Sequence, residues 1–241
     1  MQVEVSNNTD GARWHSPAQM MVGAAFGLGS VLLMGAASAD GTPSSLPAQP
    51  DTLLAPAVVV AAGADTLNPN VVDRLIAHSV RGTESGTAFH LEDGRIGSVA
   101  HALIDARSVT IGDDRSLVYS LDDEGVSVAP EHDLATFPDR SDRGGLRIAT
   151  EYPVVGDKVA AAGFARDERL SIDLGTVVYR GPGSAYGISQ PDIFVISSRV
   201  DAGWSGGPVV DAAGDVVAVI VGQEINSGVA IAVPIQYLPE L

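Results

Sequence analysis

From about Val71 onward the chain is cut into short apolar runs of roughly four to seven residues, each closed by turn-forming residues. Segments 87–91, 95–99, 108–111, 117–121, 126–129, 154–155, 158–162, 170–172, 176–179, 194–197, 209–210, 216–221 and 229–233 carry this pattern. About a dozen short strands at near-regular spacing, with few helical stretches, predict an all-β barrel or sandwich. Glu92-Asp93-Gly94 and Ala213-Gly214-Asp215 have the composition of hairpin turns. The charged, glycine-containing segment 139–145 falls midway and divides the strands into two sets of about six. Aromatic residues make up only 5% of the 241, while Gly (27) and Pro (14) are plentiful, as expected for a turn-rich β chain.

One stretch asks for more than a turn. In "DAGWSGGPVV" (201–210), three glycines and a proline surround Ser205. A serine hydroxyl is too weakly acidic to attack a carbonyl unaided; it needs a base, and the base needs an orienting acid. His101 directly follows the strand-like "RIGSVA" and opens a short turn, so its imidazole stands at the end of a rigid strand. Asp133 lies just after the Pro130 break and before an apolar Leu-Ala pair whose burial would draw it inward. The set is His101, Asp133, Ser205. The glycines around Ser205 let the backbone turn its amides inward, and those of Gly203 and Ser205 are the expected donors to a developing oxyanion.

The other histidines offer less. His15 precedes the long N-terminal apolar run, His78 and His90 sit at edges of early strand-like segments without a distinctive neighbourhood, and His132 adjoins Asp133 in a loop. His78 and His90 are expected at the surface or half-buried. The acidic cluster 122–124 matches no calcium-loop spacing and is expected to be a solvated charge run. The chain has no cysteine, so a disulfide framework, a thiolate metal site and a cysteine nucleophile are all excluded. No metal or cofactor is expected. A net charge of −16, with Lys158 the only lysine, argues against nucleic acid and anionic lipid surfaces as partners.

Residues 20–38 (MMVGAAFGLGSVLLMGAAS) form an uncharged apolar run, and Ala37-Ser38-Ala39 is a small-x-small cleavage pattern. Residues 1–39 therefore read as a signal peptide or, since the run approaches the ~20 residues that span a bilayer, as a membrane anchor through residues 20–39. Both readings put the body of the protein outside the cytoplasm, secreted or anchored. Residues 40–66, rich in Ala, Pro, Ser, Thr and Asp, read as a linker or propeptide.

The segments "SGTAFHLEDGRIGSVAHAL", "HDLAT", "VVGDKVAAAGF" and "DAGWSGGPVVDAAGDVVAVIVG…SGVAIAVPI" resemble, in order, the histidine hairpin, the acid, the second-barrel strand and the serine loop of trypsin-like serine peptidases, closest to the HtrA/Deg-type bacterial branch. The resemblance covers roughly Val71 to Leu241. It implies two six-stranded antiparallel β-barrels with the site in the cleft between them, barrel one at about 67–145 and barrel two at about 146–241. It also implies that Val221, Gly222 and Gln223 pair with the substrate backbone and wall the primary pocket, and that Arg199 lies at the pocket floor. An arginine there would favour an acidic substrate side chain, unless it turns outward or pairs with Asp201. Trp204 stands where digestive members have an aspartate that binds a newly cut N-terminus, so that mode of activation is not expected. No C-terminal PDZ domain is expected between "VAIAVPI" and Leu241.

The expected function is an extracytoplasmic serine endopeptidase acting on proteins or peptides through an acyl-enzyme. A catalytically silent peptidase-fold binding or regulatory protein is the alternative, with Trp204 crowding the site as its most direct cause. An α/β-hydrolase esterase would place the serine first and the histidine last, the reverse of the order here.

Overall fold

The computed structural model describes residues 67–112, 116–122, 125–165 and 169–241. The proposed signal or anchor (1–39), the linker (40–66) and residues 123–124 of the acidic cluster lie outside the described residues. Seven strands come first: β1 (Val72–Ser79), β2 (Gly82–His90), β3 (Arg95–Val99), β4 (Ala106–Ile111), β5 (Leu117–Ser120), β6 (Ser127–Ala129) and β7 (Leu134–Pro138). They form one antiparallel sheet in the order β5-β4-β1-β2-β3-β7-β6, curled into a half-barrel. Six follow: β8 (Lys158–Phe164), β9 (Leu170–Gly181), β10 (Ile193–Arg199), β11 (Pro208–Val210), β12 (Val216–Gln223) and β13 (Val229–Pro234), closed into a barrel in the order β10-β13-β12-β11-β8-β9. The double-barrel, all-β architecture is the expected one, with a seventh short strand in the first half.

Strand burial explains the sequence pattern. Val159 through Gly163 on β8 and Val216 through Val221 on β12 are buried at every position, on both faces. Alternate residues divide between two cores. Val159, Ala161, Val217 and Ile220 join a cluster with Phe194, Ile196 and Trp204. Ala160, Ala162, Val219 and Val221 join the cluster that holds Phe89, Ile96, Leu134 and Phe137 of the first sheet. Strands apolar on both sides read as unbroken hydrophobic runs, which is what "KVAAAGF" and "VVAVIV" are.

Three expected segments come out differently, and two strands lie outside the expected runs. The runs 170–172 and 176–179 are one twelve-residue strand, β9. Val154 and Val155 form no strand and are each 60% exposed, in the turn where Gly156 N–H donates to Val177 O. Strand β1 carries Asp73, Arg74 and His78 among its apolar residues, and β7 follows immediately on Asp133. Neither has the plain apolar run expected of a strand.

His90 departs furthest from expectation. It is wholly buried, with Nε2 2.9 Å from Asp73 Oδ2 and Nδ1 2.6 Å from Asp139 Oδ2. Ser141 Oγ lies 3.3 Å from Nδ1, and one guanidinium nitrogen of Arg143 donates to both oxygens of Asp73 at 3.0 and 2.8 Å. Burial opposes a charge on His90, but the hydrogen bonds to Asp73 and Asp139 and the charges of both carboxylates outweigh it and raise its pKa above 6.5. Burial likewise raises Asp73, yet the bond from His90 and the Arg143 charge bring it below its ordinary value. The ring thus ties the ends of β1 and β2 to the segment leaving β7.

That segment is stitched to both halves. Leu146 N–H donates to His90 O (2.8 Å), Glu92 N–H to Leu146 O (3.0 Å) and Val216 N–H to Arg147 O (2.8 Å). Arg147 grips Asp215 with two 2.8 Å bonds. A second crossing is made by the residues that follow β13. Pro239 O accepts from Thr136 Oγ1 (2.8 Å) and Arg95 Nη1 (3.3 Å), and Glu240 pairs with Arg95 at 3.4 Å.

Ile220→Ala should lower the unfolding free energy by about 2–5 kcal/mol, whereas Ile225→Ala, at an 87% exposed position, should change it by under about 0.5 kcal/mol; guanidinium titration measures both. The His90 clasp predicts a pH-dependent contribution of one sign. Its folded pKa lies above the unfolded 6.5, so its stability is fully present below 6.5 and is lost as pH rises through the raised value. The stability gap between wild type and His90→Gln should therefore be widest near about pH 6 and narrow in alkaline buffer. A gap that widens with pH would contradict the charged clasp.

Candidate active site

Strand β3 ends at Val99, and His101–Leu103 form a single 3-10 turn. Two residues of this corner are bound by Asp133. Its backbone oxygen accepts from Ala100 N–H (3.1 Å), its Oδ1 from His101 N–H (2.8 Å), and its Oδ2 lies 2.7 Å from His101 Nδ1. The Asp133 side chain is 6% exposed and that of His101 26%. A carboxylate only accepts, so this geometry assigns the proton to Nδ1 and leaves Nε2 as the basic nitrogen.

Asp133 reaches this position through an unusual backbone. It lies in a turn in which its own N–H donates to Pro130 O (3.2 Å) and that of His132 to Ala129 O (3.1 Å), and its φ is +59°. Aspartate tolerates the left-handed region better than most residues, at a cost of roughly 1 kcal/mol. His132 turns aside and stacks on Tyr237 at 4.1 Å, so the neighbouring imidazole is spent on packing.

The serine loop comes from barrel two but rests on barrel one. Thr87 N–H on β2 donates to Ser205 O (2.8 Å), and Thr87 Oγ1 donates to Gly203 O (2.8 Å). Gly206 N–H donates to Ile220 O (2.8 Å) and Ile220 N–H to Gly207 O (2.9 Å), so β12 holds the loop from the other side. A side chain at Gly206, whose φ is +90°, would run into Thr87 O, which makes glycine obligatory there. At Gly86 a Cβ would stand 3.0 Å from Ser205 O and 4.0 Å from Ala102 Cβ. The serine loop and the histidine turn therefore meet over the same bare glycine.

Among the described residues, the amides of Gly203 and Ser205 donate to no protein group, in a loop where those of Trp204, Gly206 and Gly207 are all engaged. The Ser205 hydroxyl is not hydrogen-bonded to His101; in unliganded sites this bond commonly tightens only with substrate. Trp204 is 4% exposed and belongs to the barrel-two core, against Gly163. Its ring is spent on that core.

Of the pocket residues, Arg199 ends β10 with an exposed side chain, and its N–H donates to Asp173 Oδ2 (3.0 Å). Asp201, its considered partner, turns its carboxylate to the amide of Ala202 (2.7 Å). Val221 is buried, Gly222 half-buried with open space where a Cβ would stand, and Gln223 exposed. Past Val219, β12 keeps β13 as its strand partner and loses β11. Among the described residues, no group of three or more His, Cys, Asp or Glu side chains is placed to hold a metal. Thr87 and Ser98, fully buried and bonded to one another (Ser98 Oγ to Thr87 O, 2.7 Å), were not legible as site residues. The only sequence signal for Thr87 is a polar residue inside an otherwise apolar strand end.

The family described as "Trypsin-like peptidase domain" matches residues 76–219. No curated protein matches the chain in sequence. Among solved structures, the HtrA-type protease AlgW with a tripeptide is 18% identical with a TM-score of 0.62, over 72% of this chain and 59% of that one. The Rv3671c protease from M. tuberculosis in its active form is 23% identical with a TM-score of 0.58, over 83% of this chain and 91% of that one. The serine endoprotease from Yersinia pestis is 18% identical with a TM-score of 0.56, over 72% and 60%. The chain thus spans about three fifths of AlgW and of the Yersinia protein, and most of Rv3671c. These likenesses bear on the fold.

Gly163→Ala tests the seat of Trp204. An added Cβ would stand 2.7 Å from the indole Cγ and 2.8 Å from the Trp204 Cα, and backbone cannot yield cheaply. The expected loss is about 1–3 kcal/mol of stability in denaturant titration, larger than at Gly222, whose backbone is not left-handed and where no atom lies within 4 Å.

Proposed function

This chain belongs to the trypsin-like peptidase family, a family of serine endopeptidases, and from that premise we propose that it hydrolyses peptide bonds through His101, Asp133 and Ser205. The observation that carries this reading is the double grip of Asp133 on His101, at the backbone amide and at Nδ1, beside a serine loop with two amides that donate to no group among the described residues. His101 Nε2 takes the Ser205 proton as Oγ attacks the carbonyl carbon. The imidazolium that forms is stabilised by Asp133, which keeps its own charge. The carbonyl oxygen becomes an oxyanion facing the amides of Gly203 and Ser205. Collapse expels the amine, which leaves with the proton from His101, and water then repeats the sequence on the acyl-Ser205 ester.

The substrate class is protein or peptide, and the open side of β12 at residues 221–223 supports it. An extended peptide can lie along that side as an added strand, using main-chain groups that β11 does not reach. Gly222, with no side chain, leaves room beside it. The exposure of Arg199 favours a solvent-facing role over a pocket floor.

We place the enzyme outside the cytoplasm, on the strength of the apolar run 20–38 and its cleavage pattern, either released or held by residues 20–39. Among the described residues no helix is long and apolar enough to cross a membrane. N-terminal sequencing of the protein recovered from a producing cell distinguishes the two: a start at Asp40 means release, a start at Met1 in the membrane fraction means anchoring.

A fluorophosphonate probe should label wild type on Ser205 and leave Ser205→Ala unlabelled. Casein cleavage should fall by roughly 10⁴–10⁶-fold in Ser205→Ala and about 10⁴-fold in Asp133→Asn, where the wrong His101 tautomer is held. Wild type that neither labels nor cleaves casein would leave the silent binding protein as the better description.

A further inference from the structure

We propose that Thr87 is a positioning residue for catalysis: from barrel one, it sets the orientation of the oxyanion loop of barrel two. The inference rests on reading Ser205 as the nucleophile. β2 and β3 are paired only at Phe89 and His90, so at Thr87 the main chain of β2 has left β3. Its freed groups go elsewhere. Thr87 N–H donates to Ser205 O (2.8 Å), and Thr87 O accepts from Ser98 Oγ (2.7 Å) while closing off the space beside Gly206. The hydroxyl donates to Gly203 O (2.8 Å) and accepts from Phe164 N–H (2.9 Å). Every polar atom of this fully buried residue is engaged, and two of its four bonds end on the serine loop.

The hydroxyl is the one side-chain chemistry that fits. Phe164 N–H can only donate and Gly203 C=O can only accept, so the group between them must do both through one small atom. Gly203 has φ +101° and no Cβ, a backbone with several conformations open to it. Its carbonyl is fixed by Thr87 Oγ1, the Ser205 carbonyl by Thr87 N–H, and the residue between them by the buried indole of Trp204. Three consecutive residues are thereby held, and among the described residues no protein group claims the amides of Gly203 and Ser205. Removing the hydroxyl strands both Phe164 N–H and Gly203 C=O and releases the most pliable of the three. Substrate main-chain pairing along β12 does not involve Thr87, so ground-state binding is unaffected.

The test compares Thr87→Val, which keeps the shape and deletes the hydroxyl, with Thr87→Ser, which restores it. With p-nitrophenyl acetate as acyl donor, Thr87→Val should lose 10²–10³-fold in kcat with KM within about twofold, the scale of a lost oxyanion donor. Thr87→Ser should recover to within about threefold of wild type. Labelling by the fluorophosphonate should slow in the same order. All assays are run where near-ultraviolet circular dichroism shows the variants folded, so a purely structural role would leave kcat alone. A folded Thr87→Val with wild-type kcat, or one with raised KM and normal kcat, overturns the proposal while wild-type labelling leaves Ser205 as nucleophile. Absent labelling of wild type overturns both. Should Thr87→Val not fold, Thr87→Cys carries the test, since a thiol is similar in size but a weaker donor and acceptor. Lowered kcat at constant KM supports the assignment, and wild-type kcat defeats it.

Discussion

The two-sided burial of β8 and β12 is the constraint on which the rest of the molecule depends. A barrel strand ordinarily shows one face to its core and one to water, and the alternation is visible in sequence. Here the outward residues of barrel two, Ala160, Ala162, Val219 and Val221, are as dry as the inward ones because barrel one lies against them. The interface is thus a continuation of the core, and the histidine and serine on opposite sides of it inherit core rigidity. A site shared between loosely docked halves could not hold Gly86 within touching distance of both the serine loop and Ala102.

Two histidines in this fold show how the count of carboxylates decides a role. His90 has an aspartate at each ring nitrogen, which raises its pKa against the pull of burial and leaves neither nitrogen open to another partner. His101 has one aspartate, which occupies Nδ1 and leaves Nε2 available. The first arrangement makes a structural clasp, and the second leaves one nitrogen open, as the proposed role of His101 as base requires. Asp133 adds orientation to charge by holding the backbone amide of the same residue, so the ring cannot turn without giving up its partner.

How much of this was readable follows the range of the interactions. β3 was legible to the residue because "RIGSV" is apolar and its turn, Glu92-Asp93-Gly94, is local. The serine loop was legible because glycine spacing is a local signal with few alternative causes. β1 was not, since Asp73, Arg74 and His78 break its apolar run, and the partners of Asp73 and His78, His90 and Thr110, come from other strands. His90 reads from sequence as a surface or half-buried residue for the same reason: its carboxylates come from 17 and 49 residues away. Thr87 escaped notice because its partners are backbone atoms, and backbone atoms leave no trace in sequence. The continuity of β9 was hidden by Gly175, which reads as a break but sits where a Cβ would strike Ile196 and Ser198.

The return of residues 239 and 240 to Arg95 and Thr136 has a consequence for what counts as a loose end. Pro239 O is the acceptor for the hydroxyl of the fully buried Thr136 and for one guanidinium nitrogen of the buried Arg95. Cutting these last residues away would strand both donors in the dry interior, a penalty of about 1–3 kcal/mol for each group left without a partner. The tail is thus part of the seam between the halves, and trimming it would cost as a core substitution does.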